Sequence, residues 1–473
     1  MPVKTILLEG VLQPAQEKTY VHLPFQMEAG ATRLEVEYHY SDQIGSDPQL
    51  VGGNTLDLGV FDERGIEFLS AGFRGWSGSE RATFFISEND AAPGYLAGPL
   101  NPGTWHVLLG LYKISPQGCQ YQVTIRITRA DRQERPLSST YPAIPHGSGR
   151  GELPSSPPPG RFSPWLCGEL HCHTWHSDGE LSASDLVKLS VERGLDFLAV
   201  ADHNTIASQR EMELFHDPGL ILIRGVESTS FKGHFNIWGI PDWVDFRITQ
   251  PEQMQAALDF ARQRGAIVSC NHPKYYGPDW DFRQVTNFDC LEVWNGPWFL
   301  FNQQALDYWL SLLEGGRRIP AVAGSDFHRL SEIDQVIARA PGVPVTWVHV
   351  PGKPDAASIL QAIAAGHVSL SDDPGGPFLD LRAGKEREAM LGDLLASPLG
   401  EKLPIRVRCL RGMGGSLRIL DQQGIRLERK ITQNDETVLA EIPAAGSLYF
   451  WAELRFAEEQ LRAMTNPIYL SQQ

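Results

Sequence analysis

Apolar and polar residues alternate with period two in TRLEVEYHY (32–40), NTLDLGVFD (54–62), RATFFIS (81–87), GTWHVLLGLYK (103–113) and CQYQVTIRIT (119–128). Successive strand side chains face opposite sides, so each run predicts a half-buried strand, and the Gly, Pro, Asn and Asp between runs supply turns. Residues 1–130 are therefore expected to form an antiparallel β-sandwich-like domain. Residues 131–164, around GELPSSPPPGRFSPW, are rich in Pro, Ser and Gly. Proline fixes φ and removes backbone donors, so this stretch reads as a linker.

From 165 to 375 the period switches between strand and helix. Short apolar runs occur at LCGELHCH (166–173), DFLAVADH (196–203), LILIRGVE (220–227), HFNIWGI (234–240), AIVSCNHP (266–273), CLEVWNG (290–296) and IPAVAGSD (319–326). Amphipathic helices are predicted at SASDLVKLSVERG (182–194), PEQMQAALDFARQRG (251–265), NQQALDYWLSLLEGG (302–316) and PDAASILQAIAAGH (354–367). Ser and Asp start the first, Pro starts the second, and glycines stop all but the last. Alternation of this kind predicts an α/β segment with a parallel sheet, and seven such strands can close into a barrel. The tail, 376–473, returns to period two at KLPIRVRCL, GSLRILD, ETVLAEIP and GSLYFWAELR, which predicts a second small β domain.

A chain of 473 residues fits this division into about three domains. With 57 acidic and 41 basic side chains the net charge is −16, which disfavours a nucleic-acid duplex as partner, since such binders need a positive footprint. No run of about 18 apolar residues exists to span a bilayer, and the N-terminus lacks the apolar core and cleavage site of a secretory signal. The six cysteines are dispersed, as in reduced intracellular proteins, so a cytoplasmic location is expected. Oligomeric state leaves no mark in the sequence.

The candidate chemistry sits at the ends of the central runs. His171 and His173 are spaced i, i+2, so both leave their strand on one face. Asp178 follows in HSDG; the next runs end at Asp202-His203 and Glu227, the fourth begins at His234, the fifth ends at Asn271-His272-Pro273, and the last closes on Asp326 and His328. The position of His234 suggests that its strand is short, displaced or reversed. One His or Asp at a strand end is ordinarily a cap, but nine candidates in one segment point to metal binding. Imidazole and carboxylate suit Zn, Mn or Fe, and a set without thiolates suits a catalytic site.

These motifs resemble the polymerase and histidinol phosphatase (PHP) family of metal-dependent hydrolases, through His171-x-His173, Asp178, Asp202-His203, Gly225-x-Glu227, His234, His272 and Asp326-x-His328. The resemblance covers about 165–375 and implies a distorted (β/α)7 barrel holding two or three divalent ions. It further implies one site of His171, His173, Glu227 and Asp326, a second of Glu227 (bridging), His234 and His272, and a third of Asp178, His203 and His328. Gly233-His234-Phe235-Asn236 and Glu292-Val293-Trp294-Asn295-Gly296 are similar to the carbaryl-hydrolase-like CehA/McbA branch. The expected activity is hydrolysis of a small phosphorylated substrate by a hydroxide bridging the ions at Glu227. A carbamate or ester hydrolase with the same site is the alternative, and the aromatic run Tyr275, Tyr276, Trp280, Trp294, Trp298, Phe299 and Phe301 leans that way. An amidohydrolase-type barrel fits less well, because Glu227 stands where that class places a carboxylated lysine. A non-enzymatic scaffold for carbohydrate or protein binding is a further alternative.

Other residues have two readings each. Lys274 and Arg329 follow ligand motifs, as anion clamps or as solvated cations. His176 is a general acid for the leaving group or an outlying His. Asp202 is expected to orient a ligand, Cys172 to pack against the helices, and Trp294 and Asn295 to line the pocket or, for Trp294, the core.

Overall fold

The computed structural model describes residues 2–47, 49–129, 164–215, 219–275, 279–333, 339–385, 389–397 and 402–472. Tyr276 and, apart from Pro164, the linker expected at 131–164 lie outside them.

The N-terminal strands are β1 (Val3–Leu12), β2 (Tyr20–Met27), β3 (Ala31–Tyr40), β4 (Thr55–Phe61), β5 (Phe73–Gly78), β6 (Thr83–Ser87), β7 (Gly103–Lys113) and β8 (Cys119–Arg129). They form two four-stranded sheets, ordered β1-β8-β3-β6 and β2-β7-β4-β5, with every pairing antiparallel. The inward residues of both sheets, among them Leu34, Val36, Leu58, Val60, Trp105, Val107 and Ile125, share one core. The alternation read from the sequence is thus the pleat of two facing sheets.

The central elements are β9 (Trp165–Glu169), α1 (Ala183–Glu192), β10 (Phe197–Ala199), α2 (Ala207–Met212), β11 (Ile221–Ile223), β12 (Gly225–Ser230), β13 (Gly233–Trp238), α3 (Pro251–Gln263), β14 (Ile267–Cys270), β15 (Cys290–Asn295), α4 (Asn302–Glu314), β16 (Ala321–Gly324), β17 (Val345–His349), α5 (Ala356–Ala364) and β18 (Val368–Ser371). The four helices expected from periodicity are α1, α3, α4 and α5. The strands do not form one closed parallel sheet. β9, β10 and β11 are parallel, but β17 runs antiparallel to β9. In a second sheet β13 is antiparallel to both β12 and β14, while β14, β15 and β16 are parallel. The reversal at β13 has a local cause: only Phe231 and Lys232 separate it from β12, and a parallel crossover needs a dozen or more residues. Isolated parallel bridges join the two sheets, Cys172 with Phe327 beyond the ends of β9 and β16, and His203, beyond β10, with Glu227 of β12.

The tail holds β19 (Phe378–Ala383), β20 (Ala389–Met390), β21 (Leu394–Ser397), β22 (Lys402–Leu410), β23 (Ser416–Asp421), β24 (Gly424–Lys430), β25 (Asp435–Pro443), β26 (Tyr449–Arg455), β27 (Leu461–Thr465) and β28 (Ile468–Gln472). One of its sheets is ordered β20-β19-β22-β25. Its other strands continue the central sheet, because β27 pairs antiparallel with β18. That pairing covers an edge that would otherwise expose unpaired backbone groups. The chain as a whole is mixed α/β with strands predominating. No helix among the described residues is long and apolar enough to cross a membrane.

The N-terminal sheets are seated on the central segment through residues 243–247. The Trp243 ring stacks on Phe73 at 4.1 Å between centroids and 5° between planes. Arg247 donates to the Ile66 carbonyl at 2.9 Å and to His22 Nε2 at 2.7 Å. Burial, then the Arg247 charge, holds His22 down to about 4, so it is neutral and able to accept.

Candidate metal centre

Local backbone geometry aims the first four candidates together. Beyond β9 and β16 the chain continues in a ladder: Asp326 N donates to the His171 carbonyl at 2.7 Å and His173 N to the Phe327 carbonyl at 3.0 Å. Side chains on such a ladder alternate, which puts His171, His173, Asp326 and His328 on one side and sends Cys172 and Phe327 to the other. Cys172 is buried there with Ala183, Leu186 and Val187 of α1, as expected. Beneath the ladder lies Glu169, a fully buried carboxylate accepting from the backbone N–H groups of Leu170, His171, Ser325 and Gly342 at 2.7–3.1 Å. His272 and Asp326 have positive φ, 27° and 54°, a conformation costly for residues with a Cβ and concentrated at functional sites.

Glu227 is the hub. Its Oε1 lies 3.2 Å from His234 Nδ1, 3.3 Å from His272 Nε2 and 3.4 Å from His171 Nε2, and accepts from Asn271 Nδ2 at 2.9 Å. Its Oε2 lies 2.7 Å from His203 Nδ1. Asp326 Oδ1 is 3.1 Å from His173 Nε2 and 3.4 Å from His171 Nε2. Asp178 Oδ1 is 3.4 Å from His328 Nε2 and 3.6 Å from His203 Nε2. Four groups have donor atoms close enough to share one cation: His171 with His173 and Glu227; Glu227 with His234 and His272; His173 with Asp178, His203 and His328; and His171 with His272 and Glu292. Eight of the nine residues singled out as ligands fall in these groups, with His173 added to the third trio; Asp326 is in none of them, although its Oδ1 lies beside His171 and His173.

The donor set fits cations. His171 Nε2, His173 Nδ1, His272 Nδ1 and Asp178 Oδ1 are buried with no hydrogen-bond partner among the described residues. Leaving such groups unpaired costs about 1–3 kcal/mol each. His171 Nδ1 lies 2.9 Å from Glu292 Oε1, which as acceptor turns the Nε2 lone pair towards Glu227 and Asp326. A lone pair facing two carboxylate oxygens repels them unless a proton or a metal ion sits between. Burial opposes charge on Glu227 and Asp326, yet the neighbouring imidazoles, with Arg339 for Asp326, hold both carboxyls well below their usual range. Burial, then His328 and His203, lowers His173 to about 4, leaving it neutral as a ligand must be.

His203 behaves differently. Burial lowers it, but Asp178 and then Glu227 outweigh that and raise it to about 10. With no cation bound, the protonated ring stabilises the fold fully below its ordinary 6.5 and that contribution is lost as pH rises through about 10. A metal ion must displace this proton, so affinity at the Asp178, His203 and His328 trio is expected to rise up to about tenfold per pH unit from neutral to alkaline pH. Calorimetric titration with Mn2+ in two buffers of different protonation enthalpy reads the released proton; a pH-independent affinity would remove His203 from the ligand set.

Several residues outside this set are placed otherwise than expected. Lys274 is not an open clamp: its Nζ is buried and donates to the Asn295 carbonyl and to Asn302 Oδ1, both at 2.8 Å. Burial, then Arg339, lowers it to about 7. Arg329 is exposed. The arginine that reaches the cluster is Arg339, whose Nη1 donates to Asp326 Oδ2 at 2.7 Å. His176 is not free to serve as an acid: Nδ1 accepts from Gly94 N at 3.1 Å, so Nε2 carries the proton and donates to Glu211 Oε2 at 3.0 Å. Among the described residues Asp202 bonds to no imidazole; it accepts from Thr174 N, Thr174 Oγ1 and Ser177 Oγ at 2.7–2.8 Å and so shapes the turn leading to Asp178. Trp280 and Trp294 are core residues, and Asn295 donates to Glu292 Oε2 at 3.1 Å. Glu292, Glu169 and Arg339 were missed. A carboxylate inside the apolar run CLEVWNG was the available signal, since a buried charge requires partners; Arg339 left none.

The N-terminal sheets hold the Asp178 turn. Arg81 donates through Nη1 to the Ser177 carbonyl at 3.0 Å and through Nη2 to the Trp175 carbonyl. Gly94 approaches so closely that a Cβ there would meet the Trp76 and His176 carbonyl oxygens at 2.4 and 2.6 Å. Arg81→Ala is expected to weaken metal retention by the Asp178 trio about tenfold, the scale of losing an outer-shell partner. Metal counted per chain after dialysis against a weak chelator checks this, with Arg81→Lys as the milder control.

The cluster opens into a pocket of about 790 Å³. Asp178, His203 and His234 line it from the central segment, and Lys18, Tyr20, Asp57, Trp76 and Tyr112 from the N-terminal strands and turns.

No protein-family model matches the sequence. A 5'-3' exoribonuclease of Haemophilus influenzae is 45% identical over 103 residues, 21% of this chain and 36% of that protein. The match therefore spans about a third of the curated relative. Among solved structures, a two-domain protein from Bacteroides vulgatus containing a predicted PHP-like metal-dependent phosphoesterase is 16% identical with a TM-score of 0.37, over 64% of this chain and 95% of that one. An amidohydrolase from Chromobacterium violaceum is 14% identical with a TM-score of 0.27, over 37% and 90%. Structural overlaps this loose say nothing about chemistry, which is read from the geometry of the site.

Proposed function

We propose that this chain is a metal-dependent hydrolase of the PHP type acting as a phosphoesterase on small phosphorylated molecules. One observation carries the reading: the Glu227 carboxylate stands within 3.4 Å of imidazole nitrogens from His171, His203, His234 and His272, which come from four separate strand ends. Divalent ions held there would supply Lewis acidity at a phosphoryl oxygen and a nucleophilic water at neutral pH. The protein's part is positional. Glu292 fixes the His171 tautomer, Asn271 orients Glu227, and Arg339 occupies Asp326 Oδ2 so that Oδ1 faces His171 and His173.

Phosphoester chemistry is supported by the local similarity to an exoribonuclease, since RNA cleavage breaks phosphoester bonds. A small substrate is supported by the pocket wall, which offers one lysine against Asp47, Asp57, Glu80, Asp178, Asp279 and Asp281; a polynucleotide backbone needs a positive track. Hydrolysis of an aryl carbamate is the competing reading, favoured by Tyr20, Tyr112 and Tyr275 in the wall. The purified chain, with its metals, is to be assayed on p-nitrophenyl phosphate and on a naphthyl carbamate. Phosphate release that a chelator abolishes is the expected result; carbamate turnover without phosphate release would replace the reading.

A further inference from the structure

The N-terminal part of the pocket wall contains one feature that the metal cluster does not explain. Lys18 is the only Lys or Arg among the described residues lining the pocket. It is half-buried, yet its ammonium makes no hydrogen bond or ion pair among the described residues; the Tyr112 ring lies 3.5 Å from Nζ and the Phe231 ring 5.2 Å. Its backbone has φ +61°, a conformation that glycine or asparagine would hold more easily, pinned by Lys18 N donating to the Leu111 carbonyl at 2.7 Å. A strained turn carrying a long cation into a pocket calls for an account in terms of what the cation meets. Nearby charges do not neutralise it by contact. Burial lowers Lys18 to about 8, with Glu17 and Asp57 opposing it through space and Lys113 and Lys232 adding to it, so it stays charged at neutral pH.

Size and placement point the same way. A pocket of about 790 Å³ is on the scale that encloses a drug-sized ligand, and inorganic phosphate on the ions would occupy little of it. Asp178, His203 and His234 reach the pocket from the central segment, and Lys18 reaches it from the turn before β2. Lys18, Asp57 and His203 line this one pocket, so the lysine and the metal cluster face one continuous space.

We propose that Lys18 is a specificity-determining residue that binds a second anionic group, a carboxylate or a further phosphate, on the leaving-group side of the substrate. The inference rests on the phosphoesterase reading and refines it: the substrate is an organic phosphate with at least two separate acidic groups, and the N-terminal domain selects it. An ammonium meeting an anion on a partly buried aromatic platform is a charge-assisted contact, and cation–π contact orients the lysine without using its protons.

The metal-loaded full chain is to be tested on two matched pairs, phenyl phosphate against 4-carboxyphenyl phosphate, and glycerol 2-phosphate against 2-phosphoglycerate. In at least one pair the carboxylated member is expected to show a KM about tenfold lower, the scale of a hydrogen bond to a charged group. Lys18→Met should collapse that ratio towards one and Lys18→Arg should restore most of it, a rescue that a packing role would not produce. No preference in the native chain, or a Lys18→Met variant that keeps the ratio or loses kcat/KM equally on both members of a pair, overturns the subsite. Absence of phosphate release from all four esters by a chain that holds its metals overturns the phosphoesterase reading, and the subsite with it.

Discussion

Glu227→Gln is expected to lower turnover roughly a thousandfold, the several kcal/mol that correct metal placement contributes to such reactions. Glutamine matches glutamate in shape, so the N-terminal core, which is separate from this site, should remain folded. What changes is the number and sign of the acceptors. Glu227 presents two anionic oxygens, one to His171, His234 and His272 and the other to His203. An amide offers one neutral oxygen and turns a donating nitrogen to the remaining side. That nitrogen cannot ligate a cation and would face imidazole nitrogens or an ion. The same substitution removes the charge that helps hold His171 and His203 protonated when no cation is bound. Phosphate release and metal content by plasma mass spectrometry, read on one batch, check the result. Activity within tenfold of the native chain would show that Glu227 is not the bridge.

Removing the ions should abolish turnover and also lower the melting temperature of the central segment. Ligands that bind only the folded state stabilise it by mass action, about 2.7 kcal/mol for each ion present at a hundred times its Kd. Two ions at that level amount to roughly 5 kcal/mol, or about 10–20 °C for a segment of some 200 residues. Part of this is offset, because protons on His171 and His203 relieve the carboxylates in the stripped protein. The β1–β8 sheets should melt independently of chelator, since their main core includes none of the candidate ligands. Calorimetric scans before and after chelation, followed by Mn2+ or Zn2+ replacement, separate the two transitions. Fewer than about two ions per loaded chain, or a melting curve indifferent to chelator, would favour the scaffold alternative over catalysis.

The chemistry of the site was legible in the sequence where it is local. His171-x-His173 and Asp326-x-His328 read correctly as pairs on one face because strand alternation is a property of consecutive residues. The four long helices were legible for the same reason, through 3.6-residue periodicity closed by capping residues and glycines. The possible reversal of the strand at His234 could be suspected from the residue's place in its run, and the two-residue connection from β12 to β13 shows why it happens.

Other features depend on contacts between residues distant in the chain, which leave no periodic trace. Glu292 meets His171 across 121 positions, and Arg339 rather than Arg329 meets Asp326 because the returning loop brings it there. Lys274 and His176 looked available for substrate while only their neighbours in sequence were known; in the fold, Asn302 and Gly94 hold them. The sequence by itself determined which imidazoles and carboxylates are candidate ligands and where the period-two and period-3.6 runs lie, since each follows from short-range geometry. Only the tertiary structure decided that β27 extends the central sheet, that Glu227 is shared by four imidazoles, and that an N-terminal domain without ligands of its own forms half the pocket wall. The physical reason is that burial and electrostatic pairing act through space, and a side chain's role is set by whatever partners the completed fold brings within a few ångströms.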